Sequence, residues 1–196
     1  MHSPVVIAAD IAAAVAEYDL HADAGNLIRS LQNIGLRADP DALVGAAQPY
    51  LERPEIAGPL YERIVDLRPN DAHALVALAN AYWLHGRGGE VVGELAARAI
   101  AADPANRGAW HLWALSESDI RARVARWQQV TARFVDDDLA KAILADNATS
   151  LAGAESDEHA LALAIETYED LLSRATLLQQ REALEKALMT LRSWAV

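Results

Sequence analysis

Cysteine is absent from the 196-residue chain, which removes disulfides, thiolate metal sites and a cysteine nucleophile from consideration. That composition fits a reducing compartment. Aromatic residues make up only 6% while hydrophobic residues reach 53%, so the apolar share is largely alanine and aliphatic side chains, a mixture that favours helices and their close packing. Alternating strand patterns are missing. So is any bilayer-spanning run of about 18 to 20 apolar residues. The most apolar early stretch, Val5 to Val15, is broken by Asp10 and has no basic residue ahead of it, unlike a secretory signal. A cytoplasmic protein with no membrane association is expected. Positive charge is also short. A net charge of −11 argues against a nucleic-acid partner, since phosphate binding needs a surplus of lysine and arginine. The stretch from Asp136 onward carries twelve acids against five bases, while Asp71 to Val135 carries six acids against seven bases. Arginine outnumbers lysine fifteen to two, which together with the alanine content points to a GC-rich bacterial genome.

What is present is helical periodicity. Leu161, Ile165, Tyr168 and Leu172 recur at helical spacing, as do Leu184, Leu188 and Leu191. Breaks fall at Gly35 to Pro40, Arg53-Pro54, Arg68-Pro69-Asn70-Asp71, Gly86 to Gly89, Asp103-Pro104, Asp136 to Asp138 and Gly153 to Asp157. Helices of about 12 to 18 residues joined by tight turns predict antiparallel hairpins. At this length one continuous domain is expected.

The breaks repeat. Pro69 and Pro104 stand 35 residues apart, as do Leu75 and Trp110, Leu78 and Trp113, and Ala79 and Ala114. Leu75, Leu78, Ala79 and Tyr82, followed by Val92, Ala96, Ala99 and Pro104, form a pattern that resembles the tetratricopeptide repeat. The preceding unit fits the same pattern through Gly45, Ala57, Tyr61 and Pro69, with Leu60 to Pro69 the best match. Small residues such as Gly45, Ala79 and Ala114 let paired helices approach, tyrosines fill the space between hairpins, and the prolines end each unit. The resemblance implies an all-α, right-handed superhelix of antiparallel helix pairs, a TPR-like α-solenoid with a C-terminal capping helix. The expected parts are an N-terminal hairpin over 1–37, repeats over 38–71 and 72–106, degenerate repeats over 107–137 and 138–175, and a cap over 176–196. In that cap Leu184, Leu188, Leu191 and Ala195 share one face.

Catalytic and metal-binding motifs do not emerge. Gly86-Arg87-Gly88-Gly89 lacks the Lys-Ser/Thr pair and the preceding strand of a phosphate loop. None of the 6 histidines has the spacing of a helical metal site, and Glu158 and His159 diverge around a helix. No Gly-x-Ser-x-Gly occurs. Glu166 with Asp170, and Glu182 with Glu185, read as solvated acidic pairs, and Asp136-Asp137-Asp138 as a helix cap. The chain is expected to be neither an enzyme nor dependent on a metal or cofactor.

The resemblance also implies a groove lined by the first helix of each hairpin, holding a peptide or helix of another protein. Its matching residues are Ala46 and Tyr50, then His73, Val76, Asn80, Trp83 and Leu84, then His111, Leu115 and Asp119. Val76 and Leu115 stand where a carboxylate clamp of this family wants polar or basic groups. Asn80 either reads a peptide backbone or satisfies a neighbouring helix. A second candidate surface is the basic patch of Arg121, Arg123 and Arg126 beside Trp127, with Arg133 nearby. It either meets an acidic partner or pairs with the chain's own acids. Three classes of role compete: an adaptor or chaperone-like protein binder, a self-associating module in which terminal helices form a homodimer, and a helical subunit of an enzyme complex.

Overall fold

The computed structural model describes residues 4–194. Where length suggests one continuous body, the chain divides into two compact units, Met1–Ser116 and Glu117–Val196. The first unit contains α1 (Pro4–His21), α2 (Ala24–Arg37), α3 (Pro40–Ala47) running into a 3-10 turn (Gln48–Tyr50), α4 (Pro54–Leu67), α5 (Ala72–Leu84), α6 (Gly89–Ala102) and α7 (Arg107–Leu115). The second contains α8 (Ile120–Arg133), α9 (Asp138–Glu155), α10 (Glu158–Arg174) and α11 (Leu178–Trp194). No strand occurs among the described residues. The two helices expected to form a third repeat over 107–137 therefore belong to different units.

Local chemistry sets the helix starts. Asp23, Asp39, Asp71, Asn106, Asp119, Asp137 and Asp157 each sit at an N-cap and accept from a backbone amide of the first turn, satisfying a donor the helix cannot. Pro40 and Pro54 occupy first-turn positions where their missing N–H costs nothing. Asp137 confirms the capping role expected of the aspartate run and is itself buried. Helix α4 stops before Pro69 and α6 before Pro104, where the proline disfavours helical geometry in the residue ahead of it.

Within the first unit α1 packs on α2, and from α3 to α7 each helix packs on the next in sequence. Contacts also link α1 with α3, α2 with α4 and α5 with α7. This alternation is the hairpin ladder the repeats require. Its core runs through Ile7 and Ile11, Leu27 and Leu31, Leu43 and Ala47, Leu60 and Ile64, Leu75 and Ala79, and Val92 and Ala96. Each fully buried leucine or isoleucine contributes about 1.5 to 3 kcal/mol relative to an exposed one.

One register differs from the sequence expectation. Gly45 is exposed and a Cβ there would meet nothing within 4 Å, so it is not the point of close helix approach. Ala47, fully buried at 0% exposure, takes that place. Leu43, Ala46, Ala47 and Tyr50 then align with Leu75, Leu78, Ala79 and Tyr82 at a constant offset of 32 residues (75 − 43). The 3-10 turn shortens the first hairpin by two residues relative to the family spacing, and this hides the correct phase in the sequence.

The second unit is built on Val124, Trp127 and Val130 of α8, Leu144, Ala148 and Leu151 of α9, Ala164 and Leu171 of α10, and Leu188 and Leu191 of α11. Thr167 is also buried and its hydroxyl donates to the Leu163 carbonyl at 2.7 Å, one turn back along the helix. Helix α11 has the expected two-sided character, with Leu188 and Leu191 inward, Leu184 half-buried, and Glu182, Glu185 and Arg192 exposed. Ala195 lies outside the described residues. No described helix is long and apolar enough to cross a membrane.

Candidate functional site

Helix α5 buries Leu75, Leu78 and Ala79 and leaves Val76, Ala77 and Asn80 half-covered on its adjoining edge. The equivalent edge of α3 presents Val44 and, past its end, Gln48 and Leu51. Together they enclose a hollow of about 390 Å³, with Tyr61, Asp71, His73 and Ala74 completing its wall. Beside it, α7 approaches closely: a Cβ on Gly108 would lie 3.4 Å from Cγ1 of Val76.

The polar groups of the hollow differ in how fully they are engaged. Asp71 is committed to its cap, accepting from the amides of His73 and Ala74, each at 3.1 Å. Tyr61 is held above the ordinary phenol range by burial and by the Asp71 carboxylate, so it is a neutral hydroxyl at neutral pH. Gln48 reaches that hydroxyl only at 3.5 Å, a long and weak contact. Asn80 makes no side-chain hydrogen bond within the described residues. Of the two readings of Asn80, satisfaction by a neighbouring helix is therefore not realised. Its carboxamide keeps a donor and an acceptor facing the hollow. No lysine or arginine lines this surface.

The remaining predicted groove residues distribute differently. His73, Val76 and Asn80 come together as expected. Ala46 is buried, and Tyr50 is half-buried against the core; neither lines the hollow, because the register shift turns Val44 and Gln48 outward in their place. Trp83 and Leu84 are exposed at the far end of α5 without reaching the hollow. His111 and Leu115 are half-buried on α7. Asp119 lies in the second unit as the N-cap of α8.

The predicted basic patch is not a free surface. Trp127 is 0% exposed and belongs to the core of the second unit, because the 3.6-residue period places it in line with Val124 and Val130. Arg121 pairs with Glu155 at 2.6 Å and Asp157 at 2.7 Å. Arg126 pairs with Glu117 at 2.7 Å, and Arg123 donates to Asn147 and to the Glu117 carbonyl. The chain's own acids thus pair with Arg121 and Arg126, while Arg123 is held by neutral acceptors. Likewise Asp170 is gripped by Lys141 at 2.6 Å and Arg174 at 2.9 Å, which hold its carboxyl below the ordinary range, Lys141 foremost. The tryptophans of α7 are packed as repeat residues should be, their rings edge to face at a centroid distance of 5.6 Å.

A second recess of the first unit, about 420 Å³ between α2, α4 and the end of α5, has no counterpart among the sequence expectations. At its edge the Tyr82 hydroxyl donates to Glu62 at 2.6 Å and the Arg87 guanidinium lies 4.2 Å from the Tyr82 ring centre. Burial, reinforced by Glu62, pushes the Tyr82 phenol up to about 12. Among the described residues, no group of three or more histidines, aspartates or glutamates could hold a metal ion.

No protein-family profile and no curated protein matches the chain in sequence. Solved structures match it in fold. The MamA protein superimposes with a TM-score of 0.60 at 14% identity, covering 88% of this chain and 97% of that one. A thermophilic TPR protein of Thermus thermophilus gives a TM-score of 0.55 at 18% identity, covering 92% of this chain and 97% of its own. The fold is that of a TPR-like helical repeat protein.

Proposed function

We propose that this chain is a non-catalytic protein-binding module, adaptor or chaperone-like in role, that takes a short segment of a partner protein between α3 and α5. The carrying observation is Asn80, half-buried in an apolar hollow with its carboxamide unused by the protein itself. An extended segment presents alternating backbone donors and acceptors, and a carboxamide can answer both at once. Val44, Leu51, Val76 and Ala77 supply the apolar surface, at about 25 cal/mol for each Å² removed from water. Gln48 can exchange its long contact with Tyr61 for a second bond to the segment. With no lysine or arginine in the lining, an uncharged and largely apolar segment suits the hollow better than a free carboxylate. A cytoplasmic protein of bacterial origin is the setting this reading assumes.

The test is affinity capture from cells of the source organism with the wild-type chain and a Val76→Glu, Asn80→Ala variant, alongside circular dichroism of both. The expected result is a discrete set of proteins lost by the variant at unchanged helicity. Recovery of the same set by both would refute the groove.

A further inference from the structure

The recess between α2, α4 and the end of α5 has the buried Leu27 and Ala81 in its wall, together with bare backbone of α4. Gly58 is itself buried, yet a Cβ there would meet nothing within 4 Å, so the missing side chain is part of the space. One residue on, Pro59 stands inside the helix. Proline has no N–H to give the Glu55 carbonyl one turn back, and Glu55 and Pro59 both line the recess. A main-chain acceptor is thereby left for some other donor.

The rim already holds a cation. Glu62 accepts the Tyr82 hydroxyl bond through Oε1, which lies 3.8 Å from Arg87, while its Oε2 accepts no hydrogen bond among the described residues. The Arg87 guanidinium rests 4.2 Å from the Tyr82 ring centre. A planar cation on a phenol face beside a carboxylate is a guanidinium site, and the chain fills it with its own side chain. It does so loosely. The Arg87 side chain is 55% exposed, its contact with Glu62 is too long for a hydrogen bond, and so exposed an ion pair contributes little. Its backbone, by contrast, is fixed: the Arg87 amide donates to the Tyr82 carbonyl at 2.9 Å, just after Gly86 in the left-handed region. The side chain can swing away while the turn stays in place.

We propose that this recess takes an arginine side chain from a basic segment of a partner protein, in the place that Arg87 now fills, and that Arg87 is a weak internal competitor for it. Charge and donor count favour this occupant. Glu55 is tied to Arg53 at 2.9 Å, but Glu62 keeps a free oxygen, and the chain's net charge of −11 draws basic segments and repels acidic ones. An anionic ligand would face Glu62. A neutral apolar one would leave Oε2 of Glu62 and the Glu55 carbonyl without donors. Arginine brings five donors and no acceptor, matching a wall whose open polar atoms are acceptors. The recess's own basic groups, His85 and Arg87, are both exposed and can turn to solvent.

Amide resonances of the isotope-labelled full chain test this directly. The probe is a capped pentapeptide with one arginine between two leucines, beside otherwise identical peptides carrying lysine or citrulline. The arginine peptide should give saturable shifts centred on Gly58, Glu62 and Tyr82. Lysine should bind less well, and the neutral citrulline about tenfold more weakly. Glu62→Gln, which still accepts from Tyr82, should lose most of the affinity with spectral dispersion unchanged. Arg87→Ala should bind roughly threefold more tightly, a gain that misfolding does not produce. The Val76→Glu, Asn80→Ala variant should bind as wild type does, so failure of the groove between α3 and α5 would leave this site standing. Equal affinity for citrulline, shifts centred elsewhere, binding untouched by Glu62→Gln or weakened by Arg87→Ala, or no binding by either wild type or Arg87→Ala would each overturn the proposal.

Discussion

Asp71 joins the fold to the site. It closes the first turn of α5, and that turn carries His73 and orients Val76 and Asn80 into the hollow. Replacing it with alanine should cost about 1 kcal/mol, as loss of an N-cap does, read as a lower urea midpoint with an unchanged slope. Tyr82 offers a second test at the scale of one side chain. Its phenol ionises near 12 in the folded protein against 10.0 ordinarily. Below pH 10 both folded and unfolded chains keep the proton, and the contribution to stability is whole. Between the two values only the unfolded chain loses it, so stability should fall as pH rises toward 12. Absorbance titration at about 295 nm should show late phenols beyond Tyr82, because Tyr168 is pushed to a similar value by burial and Asp146 and Tyr61 is raised by burial and Asp71. Tyr82→Phe should remove one of the late phenols and soften the alkaline loss of stability.

Glycines separate two kinds of helix position. A Cβ on Gly89 would lie 2.4 Å from the backbone oxygen of Ser116, and backbone cannot easily retreat. A Cβ on Gly58, inside α4, would meet nothing within 4 Å. Gly89→Ala should therefore destabilise by about 1 to 3 kcal/mol, while Gly58→Ala should stabilise by about 0.5 to 1 kcal/mol; thermal melts of the two variants should move in opposite directions. The same scale shows what the residues alone reveal. Helices α5 and α6 are legible because caps, prolines and apolar spacing all agree, and with them come His73, Val76 and Asn80. Helix α3 reads two residues out of phase. Gly45 looks like the small residue of the motif, and nothing in the sequence announces that a 3-10 turn at Gln48 shortens the hairpin. Hence the sequence points to Ala46 and Tyr50, and Val44, Gln48 and Leu51 emerge only in the structure. Trp127 misleads for another reason: four arginines near a tryptophan suggest a surface, whereas the tryptophan is core and the acidic partners of Arg121 and Arg126 come from α9, the turn after it and the segment before α8, contacts only the fold reveals.

At the scale of the whole molecule, the two compact units carry separate cores. Trp127 fills the second, and Trp127→Ala should cost about 3 to 5 kcal/mol, seen as faster amide exchange in α8, α9 and α10. Leu191 belongs to the same core, and at 2% exposure a polar replacement there would disturb the fold before any surface. The first unit holds the hollow, and the function proposed for the chain rests on a partner's segment lying there. The most direct measurement places a photo-crosslinking amino acid at position 76, and separately at position 97 on the exposed side of α6, and irradiates living cells of the source organism. A discrete adduct from position 76 and none from 97 is the expected result. Adducts of equal yield from both positions, or none from 76, would contradict the account.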